Sequence, residues 1–261
     1  MRIDLFLAEQ GYAPSRQRAK GLIAEGGVTV DGKIVKKPSE EIDEQISHQV
    51  EIVDGQKYVG RGGLKLEGAL RDFGLDVSGL SALDIGASTG GFTDCLLEHG
   101  AKHVIAVDAG VGQLAKKLCD DVRVTSIERM NARDLSLDDI GGARVDLIVM
   151  DVSFISATYI IPRYPALLKE GGEAICLIKP QFEVGRAMLG KGGLVKDASA
   201  HRFAVERVLA CALENGLTPV GLIASPIRGG DGNREFLVRL QHGNAGKPAI
   251  DSACVRRIVG G

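Results

Sequence analysis

Between residues 82 and 240 the sequence alternates short β-rich runs with helical runs, and this alternation limits the possible fold more than any other feature. The pattern is typical of α/β proteins, in which helices connect the strands of a mainly parallel sheet. The clearest helical runs are Gly91–Glu98 and Ala200–Asn215. Seven strands are predicted, at Ala82–Ile85, His103–Val107, Val122–Ser126, Val145–Met150, Glu173–Ile178, Thr218–Ala224 and Glu235–Leu240.

The first 55 residues follow a different pattern. One helical stretch begins near Leu5 and a second covers Arg16–Ile23, and two short β-rich runs then flank Asp31-Gly32, a pair typical of hairpin turns. A further β-rich run extends from His48 to Val53. We therefore expect a small α+β domain at residues 1–55, a glycine-rich linker at 56–63, the α/β domain at 64–240 and a structurally unassigned tail at 241–261.

Charge is distributed unevenly within the N-terminal domain. Residues 1–37 contain seven Lys or Arg against four acidic residues, whereas residues 38–55 contain six acidic residues and no Lys or Arg. One face could therefore attract nucleic-acid phosphates although the formal net charge of the chain is only −2. A solvated helix surface would give the same pattern. The candidate phosphate-binding residues are Arg2, Arg16, Arg18, Lys20, Lys33, Lys36 and Lys37.

The second helix and the hairpin share a specific spacing, Arg16-x-Arg18-Ala19-x-x-Leu22-Ile23-x-x-Gly26 followed by Val28-x-Val30-Asp31-Gly32. This spacing resembles the alpha-L RNA-binding domain (S-four type), which is found in a small-subunit ribosomal protein and in pseudouridine synthases. The resemblance covers about the first 55 residues. It implies that the basic residues of this domain bind RNA.

A glycine-rich loop follows the first predicted strand of the α/β domain. Glycines let a ligand approach the backbone closely, and the helix that follows presents free N–H groups. The order from Asp84 is Asp-x-Gly-x-x-x-Gly-Gly, not the Gly-x-Gly-x-x-Gly that binds dinucleotides. A carboxylate at this position would repel pyrophosphate and suits a cationic ligand such as S-adenosylmethionine. The candidate cofactor-binding residues of the loop are Asp84, Gly86, Ala87, Ser88, Thr89, Gly90, Gly91 and Phe92.

Polar residues also follow the next two predicted strands. Asp108 ends the second run, where a carboxylate can accept hydrogen bonds from both hydroxyls of an adenosyl ribose. Asn131 and Asp134 follow the third run, and Asp134 could accept from an adenine amino group. Together with the loop, these residues predict a Rossmann-like, seven-stranded domain that binds S-adenosylmethionine. A Rossmann-like domain that binds NAD or no cofactor is the alternative.

Four charged residues lie near predicted strand ends. Asp151 and Lys179 each follow an apolar strand directly, and we expect them to pair because an unpaired buried charge is costly. Lys65 precedes the first strand of the domain and Glu235 opens the last. In this order the four residues resemble the Lys-Asp-Lys-Glu tetrad of the FtsJ/RrmJ-type ribose 2′-O-methyltransferases, and the resemblance extends from Tyr58 to about Leu240.

The combination of both domains is more specific still. Together with Gly90-Gly91-Phe92-Thr93, Asp151-Val-Ser-Phe-Ile-Ser156 and Lys179-Pro-Gln-Phe-Glu183, it resembles the TlyA family, whose members methylate cytidine ribose in ribosomal RNA and are also described as haemolysins. Because a ribose hydroxyl must lose its proton as it attacks, we expect Lys179 to accept that proton and Asp151 to orient Lys179. Lys65 would either favour the neutral form of Lys179 or stabilise the developing alkoxide, and Glu235 would hold the lysines in place. This chemistry requires no metal.

Composition weighs against several other classes of protein. The five cysteines are scattered singly, without metal-binding spacing or a disulfide framework, so we expect no metal and a cytoplasmic protein. No apolar run approaches the roughly 18 residues of a membrane span, and no secretory signal is visible, which opposes a pore-forming haemolysin. An RNA-binding protein with an inactive methyltransferase domain, and an enzyme for another structured RNA, both fit the sequence.

Overall fold

A computed structural model of the chain describes residues 1–24, 27–52, 57–243 and 249–260. The chain divides into two units, residues 1–56 and residues 57–261. Three predicted features lie partly outside the described residues: Gly26 of the RNA-binding spacing, Val53 at the end of a β-rich run, and several residues of the tail.

The N-terminal unit is the small α+β structure predicted from its sequence. Its two helices pack on a three-stranded antiparallel sheet with the order β2-β1-β3. Asp31 and Gly32 both have positive φ, 49° and 74°, which is the geometry of the predicted two-residue hairpin turn. The elements are α1 (Ile3–Glu9), α2 (Arg16–Ala24), β1 (Val28–Val30), β2 (Lys33–Ile34) and β3 (Val50–Ile52).

The second unit contains the predicted seven-stranded sheet, with the order β6-β5-β4-β7-β8-β10-β9. The first five strands in this order are parallel, whereas β10 runs antiparallel to both of its neighbours. The third strand begins at Val124 and not at Val122, whose side chain is fully exposed to solvent. The strands are β4 (Ser81–Ile85), β5 (His103–Val107), β6 (Val124–Ile127), β7 (Val145–Met150), β8 (Leu168–Ile178), β9 (Leu217–Ala224) and β10 (Phe236–His242).

Helices cover both faces of this sheet, so its strands are apolar on both sides. On β4, Leu83 and Ile85 belong to one buried cluster while Ala82 belongs to the cluster on the opposite face. None of the described helices is long and apolar enough to cross a membrane. The helices are α3 (Gly62–Phe73), α4 (Gly91–Glu98), α5 (Lys116–Cys119), α6 (Tyr164–Leu167), α7 (Pro180–Glu183), α8 (Ala198–Glu214) and α9 (Ser252–Val259).

Two helices lie where the sequence predicted none. Helix α3 begins at Gly62, inside the segment expected to be a linker. Helix α9 lies in the unassigned tail, where the Asp251 side chain accepts a hydrogen bond from the backbone N–H of Cys254 at 2.7 Å and caps the helix. Val255 and Val259, one turn apart, are buried, so this helix packs through a narrow apolar stripe.

The direction of β10 determines which residues can share a site. The parallel strands β4, β5, β6, β7 and β8 all end at one edge of the sheet, where α/β proteins gather ligands. Because β10 runs in the opposite direction, its beginning lies at that same edge. Glu235, which directly precedes β10, therefore joins the residues that follow β7 and β8.

Candidate active site

The glycine-rich loop between β4 and α4 depends on glycine at two positions. Gly86 has φ 83° and Gly90 has φ 95°, a region that residues with a side chain rarely adopt. A Cβ atom at Gly86 would also lie 2.9 Å from the carbonyl oxygen of Asp151, and one at Gly90 would lie 2.2 Å from the Leu118 side chain. The absence of a side chain therefore lets the loop pass close to the end of β7 at Gly86 and pack against Leu118 of α5 at Gly90.

One side of the loop borders a larger cavity of about 410 Å³. Asp108 lies on its wall, where one carboxylate oxygen accepts the backbone N–H of Ser88 at 2.8 Å and the other accepts that of Gly110 at 2.7 Å. These bonds fix the carboxylate at the wall. Four of the predicted cofactor-binding residues line this cavity, namely Gly86, Ser88, Asp108 and Asn131.

The other side of the loop borders a smaller cavity of about 190 Å³. It is lined by Arg61, Phe92 and Lys179, among others, and by further residues of the predicted loop. The two cavities are neighbours across the loop because they share four lining residues, namely Gly86, Ser88, Asp151 and Ser153.

The four predicted tetrad residues meet beside the smaller cavity. The Lys179 Nζ atom lies 2.6 Å from Asp151 Oδ1, so the predicted ion pair is present. The Lys65 Nζ atom lies 3.4 Å from Asp151 Oδ2 and 2.7 Å from Glu235 Oε2. The residues thus form one chain of alternating charge, Lys179–Asp151–Lys65–Glu235.

This cluster is buried and electrically balanced. The side chains of Lys65 and Lys179 are only 9% and 10% exposed, that of Asp151 is 18% exposed and that of Glu235 is 2% exposed. Two cations opposed by two carboxylates allow all four charges to be tolerated away from water. Lys179 lines the smaller cavity whereas Lys65 does not, so of the two lysines Lys179 is the one placed to contact a ligand there. Among the described residues, no group of three or more His, Cys, Asp or Glu is arranged to hold a metal ion.

A buried hydrogen-bonded bridge joins the segments that carry Asp151 and Lys179. The Ser156 hydroxyl donates to one carboxylate oxygen of Glu183 at 2.5 Å, and the backbone N–H of Ala157 donates to the other at 2.7 Å. Burial raises the pKa of Glu183 above its ordinary value, opposed by these two bonds. The bridge fixes the loop after β7 against helix α7, which begins directly after Lys179.

Three of the predicted cofactor-binding residues line neither cavity. Asp84 is fully buried behind the loop and accepts the Thr93 hydroxyl at 2.7 Å, and burial raises its pKa to about 7. Gly90 packs against Leu118. Asp134 is exposed, and Asn131 occupies the cavity wall in its place.

The structure also adds two residues that the sequence did not single out. Ser153 lines both cavities, and its hydroxyl accepts a hydrogen bond from Lys179 at 2.7 Å. Phe154, at the rim of the larger cavity, has φ 65° and a side chain that is 93% exposed. The centroid of its ring lies 5.4 Å from the centroid of the Phe182 ring. A strained, exposed aromatic residue is unusual and indicates a functional constraint. Both residues belong to the motif that begins at Asp151, and this was the signal that could have identified them.

In the N-terminal unit, three of the predicted phosphate-binding residues surround one acid. Arg2 and Arg16 place their Nε atoms 3.0 and 3.1 Å from the Asp4 carboxylate, and Lys20 lies 3.9 Å away. Asp4 is fully buried, and its hydrogen bonds with Arg2 and Arg16 lower its pKa to about 2. Of the others, Arg18 lies on α2, and Lys33, Lys36 and Lys37 are exposed in and after the hairpin.

Comparison with known proteins gives consistent matches for both units. Residues 58–242 match the FtsJ-like methyltransferase family, and residues 1–45 match the S4 domain. The chain is 43% identical to the 16S/23S rRNA (cytidine-2′-O)-methyltransferase TlyA of Mycobacterium tuberculosis, over 92% of this chain and 89% of that protein. It is 42% identical to Hemolysin A of Brachyspira hyodysenteriae, over 91% and 98% of the two chains. A solved structure from Streptococcus thermophilus, described as a candidate hemolysin, has a TM-score of 0.80 at 40% identity and covers 99% of this chain and 94% of that one.

Proposed function

Since this chain belongs to the FtsJ-like methyltransferases and its relatives include a TlyA enzyme, we propose that it methylates a ribose 2′-hydroxyl of ribosomal RNA, at a cytidine, using S-adenosylmethionine. The observation that carries this proposal is the buried cluster of Lys65, Asp151, Lys179 and Glu235, which lies beside a cavity formed by the glycine-rich loop.

The residues of the larger cavity suit S-adenosylmethionine. Each carboxylate oxygen of Asp108 accepts one backbone N–H and has a second lone pair, so both can also accept a ribose hydroxyl. Val107, Met130 and Ile155 supply apolar surface for an adenine ring, and Asn131 supplies an amide for its polar edge. When bound, S-adenosylmethionine supplies an electrophilic methyl group on a sulfonium centre.

The tetrad can prepare the hydroxyl that attacks. A ribose hydroxyl must lose its proton as the new bond forms, and a positioned side chain can accept that proton. Lys179 lines the smaller cavity and is held by both Asp151 and Ser153, and it can take this role as the neutral amine, after its own ammonium proton has passed to solvent. Lys65 and Glu235 act one step further from the cavity, where their ion pair fixes the second oxygen of Asp151.

Two surfaces fit an RNA substrate. The exposed ring of Phe154, supported by Phe182, offers a stacking surface for the base of a nucleotide whose ribose enters the site. In the N-terminal unit, Arg2, Arg16 and Lys20 have side chains that are 45%, 46% and 49% exposed and can contact phosphates. The match of this unit to the S4 domain supports the same assignment.

Mass-spectrometric mapping of ribose methylation tests the proposal directly. Ribosomal RNA from cells with and without this protein should differ at one or a few 2′-O-methylcytidines. Incubation of the unmodified ribosomal subunits with the purified protein and S-adenosylmethionine should restore those positions. Identical maps, together with no methyl transfer in vitro, would exclude ribosomal RNA as the substrate.

Two alternatives require separate measurements. Calorimetric titration with S-adenosylmethionine should show binding, and its absence would indicate an RNA-binding protein with an inactive catalytic domain. Because one relative is named Hemolysin A, purified Lys179→Ala protein should be added to erythrocytes. We expect no lysis, and lysis by this variant would establish a second activity independent of methyl transfer.

A further inference from the structure

A third cavity of the methyltransferase unit, separate from the two cavities of the site above, has four basic residues in its lining. We call it the basic cleft, and its volume is about 320 Å³. No Asp or Glu occurs among its lining residues in the described part of the chain. Those residues are Leu194, Val195, Lys196, Ala198, His201, Arg228, Gly232, Arg234, Val259 and Gly260.

The two arginines of the basic cleft bond to neutral carbonyl groups. Arg234 donates to the carbonyl oxygens of Val259 at 2.6 Å and Ile258 at 2.8 Å, and Arg228 donates to that of Gly232 at 3.1 Å. These bonds orient the guanidinium groups, and within the described ranges neither arginine pairs with a carboxylate. Lys196 is exposed and forms no ion pair with any described residue. The cleft therefore contains three cations whose charge is available to an anion.

Two further features favour an anion in the basic cleft. His201, only 5% exposed, bonds through Nε2 to the carbonyl oxygen of Val195, and its other ring nitrogen has no partner within the described ranges. Ala198, the first residue of the 17-residue helix α8, also lines the cleft. The N-terminus of a helix carries a partial positive charge and free N–H groups. Asp197 caps no N–H there with its side chain, so those groups are not taken up by the helix itself.

The loop between β9 and β10 connects the basic cleft with the candidate active site. Arg228 and Gly232 of this loop line the cleft. The carbonyl oxygen of Arg228 accepts a hydrogen bond from Arg61, which lines the smaller cavity, and a Cβ at Gly229 would lie 2.6 Å from the Glu235 carboxylate. A polymer bound across this loop could therefore contact both places at once.

We propose that the basic cleft binds a backbone phosphate of the RNA strand that carries the target ribose. This inference rests on the proposed function, because it takes the polyanion to be the enzyme's own substrate. An RNA strand presents a phosphate at every nucleotide, and Arg and Lys are the residues that most often contact it. The cleft would then fix the strand beside the site, while the N-terminal unit contributes its own phosphate contacts.

Charge reversal at one lysine tests the proposal in the full chain. Lys196→Glu should weaken binding to ribosomal subunits from cells lacking this protein by about tenfold. Removing the interaction with one phosphate should also reduce the slope of log affinity against log salt by about 0.7 to 0.9. Lys191→Glu is the matched control, because Lys191 is exposed, lies five residues away and does not line the cleft. It should change affinity less than twofold.

Kinetics separate a binding role from damage to the active site. Lys196→Glu and Arg228→Ala should both raise KM for the subunits and leave kcat and the affinity for S-adenosylmethionine unchanged. Equal effects of Lys196→Glu and Lys191→Glu on affinity would overturn the proposal, since only general charge would then matter. A fall in kcat at unchanged KM would also overturn it, because the loop would then act through Glu235.

A titration with inorganic phosphate distinguishes a free anion from the RNA backbone. If phosphate binds the wild-type protein but not Lys196→Glu, while subunit affinity stays the same, the cleft is a site for a small anion and the proposal is wrong. Failure of the proposed function would look different. The wild-type protein would then transfer no methyl group to ribosomal RNA, whatever the binding of the Lys196→Glu variant.

Discussion

The two units of this protein use the same charged residue types in opposite ways. At Asp4 the acid is buried and its three basic neighbours are nearly half exposed, so the cluster presents positive charge to solvent. In the tetrad the lysines are buried as well, and each is matched by carboxylates. The first arrangement suits binding of a polyanion, whereas the second suits chemistry on one group that enters a cavity. The distinction lies in the exposure of the cations and not in their number.

The largest expected effect comes from removing the lysine that lines the cavity. Lys179→Ala should lower methyl transfer by about 10²- to 10⁴-fold, the usual range for a positioned proton acceptor, and change S-adenosylmethionine affinity only a few-fold. Single-turnover methylation and calorimetry measure the two effects. Lys169→Ala is the control, because Lys169 lies at the other end of β8, is 53% exposed and pairs with Asp146. Retained turnover in Lys179→Ala would remove this residue from the mechanism.

Substitutions in the exposed cluster around Asp4 should instead weaken RNA binding. Arg16→Ala combined with Lys20→Ala should weaken ribosomal RNA binding by about 10- to 100-fold and lower its salt dependence, with cofactor affinity unchanged. Deletion of residues 1–55 should have the same pattern of effects and a larger magnitude. Filter binding over a range of salt concentrations provides the measurement. If the truncated protein bound ribosomal RNA as tightly as the full chain, the positive surface would have no role in substrate binding.

A smaller effect should follow from loosening the bridge that supports the buried cluster. Ser156→Ala removes one bond to the buried Glu183 carboxylate, which typically costs about 1.5 to 3 kcal/mol of stability. Because the bridge joins the Asp151 and Lys179 segments, kcat should fall several-fold while KM for RNA stays constant. Ser156→Thr, which keeps the hydroxyl, should restore kcat. A change in KM alone would mean that the bridge does not position the tetrad.

The smallest effects on activity are expected from two fully buried carboxylates, Asp4 and Asp84, whose titration should change stability instead. The pKa of Asp4 is lowered to about 2, so its contribution to stability is present above its ordinary pKa of 3.8 and is lost as pH falls through about 2. The pKa of Asp84 is raised to about 7 by burial, so the folded state holds a proton that the unfolded chain releases. Stability should therefore decline as pH rises from about 4 to about 7, by up to about 1.4 kcal/mol per pH unit.

Asparagine variants test this opposition between the two carboxylates. Asp4→Asn should remove the acid-side loss of stability, and Asp84→Asn should flatten the decline between about pH 4 and about pH 7. Protection factors from hydrogen exchange, measured for peptides of α1 and α4, report the two units separately. Identical pH profiles for wild-type and Asp84→Asn protein would show that Asp84 does not titrate in this range.

The features predicted correctly from sequence are those set by local patterns or by an ordered motif. Apolar β-rich runs gave the seven strands, and Asp31-Gly32 gave the hairpin. The four tetrad residues were singled out because their order resembles a family pattern. Their contacts could not be predicted, because Lys65 and Asp151 are 86 residues apart and meet only through the packing of helix α3 on the sheet.

The differences from prediction also have physical causes. Side chains alternate along a strand, so Asp84, placed between Leu83 and Ile85 of one face, points to the opposite face beneath α4. This alternation could have shown that Asp84 lines neither cavity. Asn131 lines the larger cavity and Asp134 does not. This difference depends on the conformation of an irregular loop, which cannot be predicted from a periodic sequence pattern. Helix α9 has typical capping residues at both ends, Asp251 and Gly260, from which it could have been predicted. Because only two of its residues are buried, its apolar periodicity is weak.

The reversed direction of β10 has a consequence for insertions. Lys179 leads directly into a helix, so an insertion next to it would also disturb how that helix starts. Glu235 instead ends a loop that joins two neighbouring strands with no helix between them. We therefore expect a change in the length of that loop to disturb β7, β8 and α3, which carry or precede Asp151 and both lysines, less than an insertion beside Lys179 would.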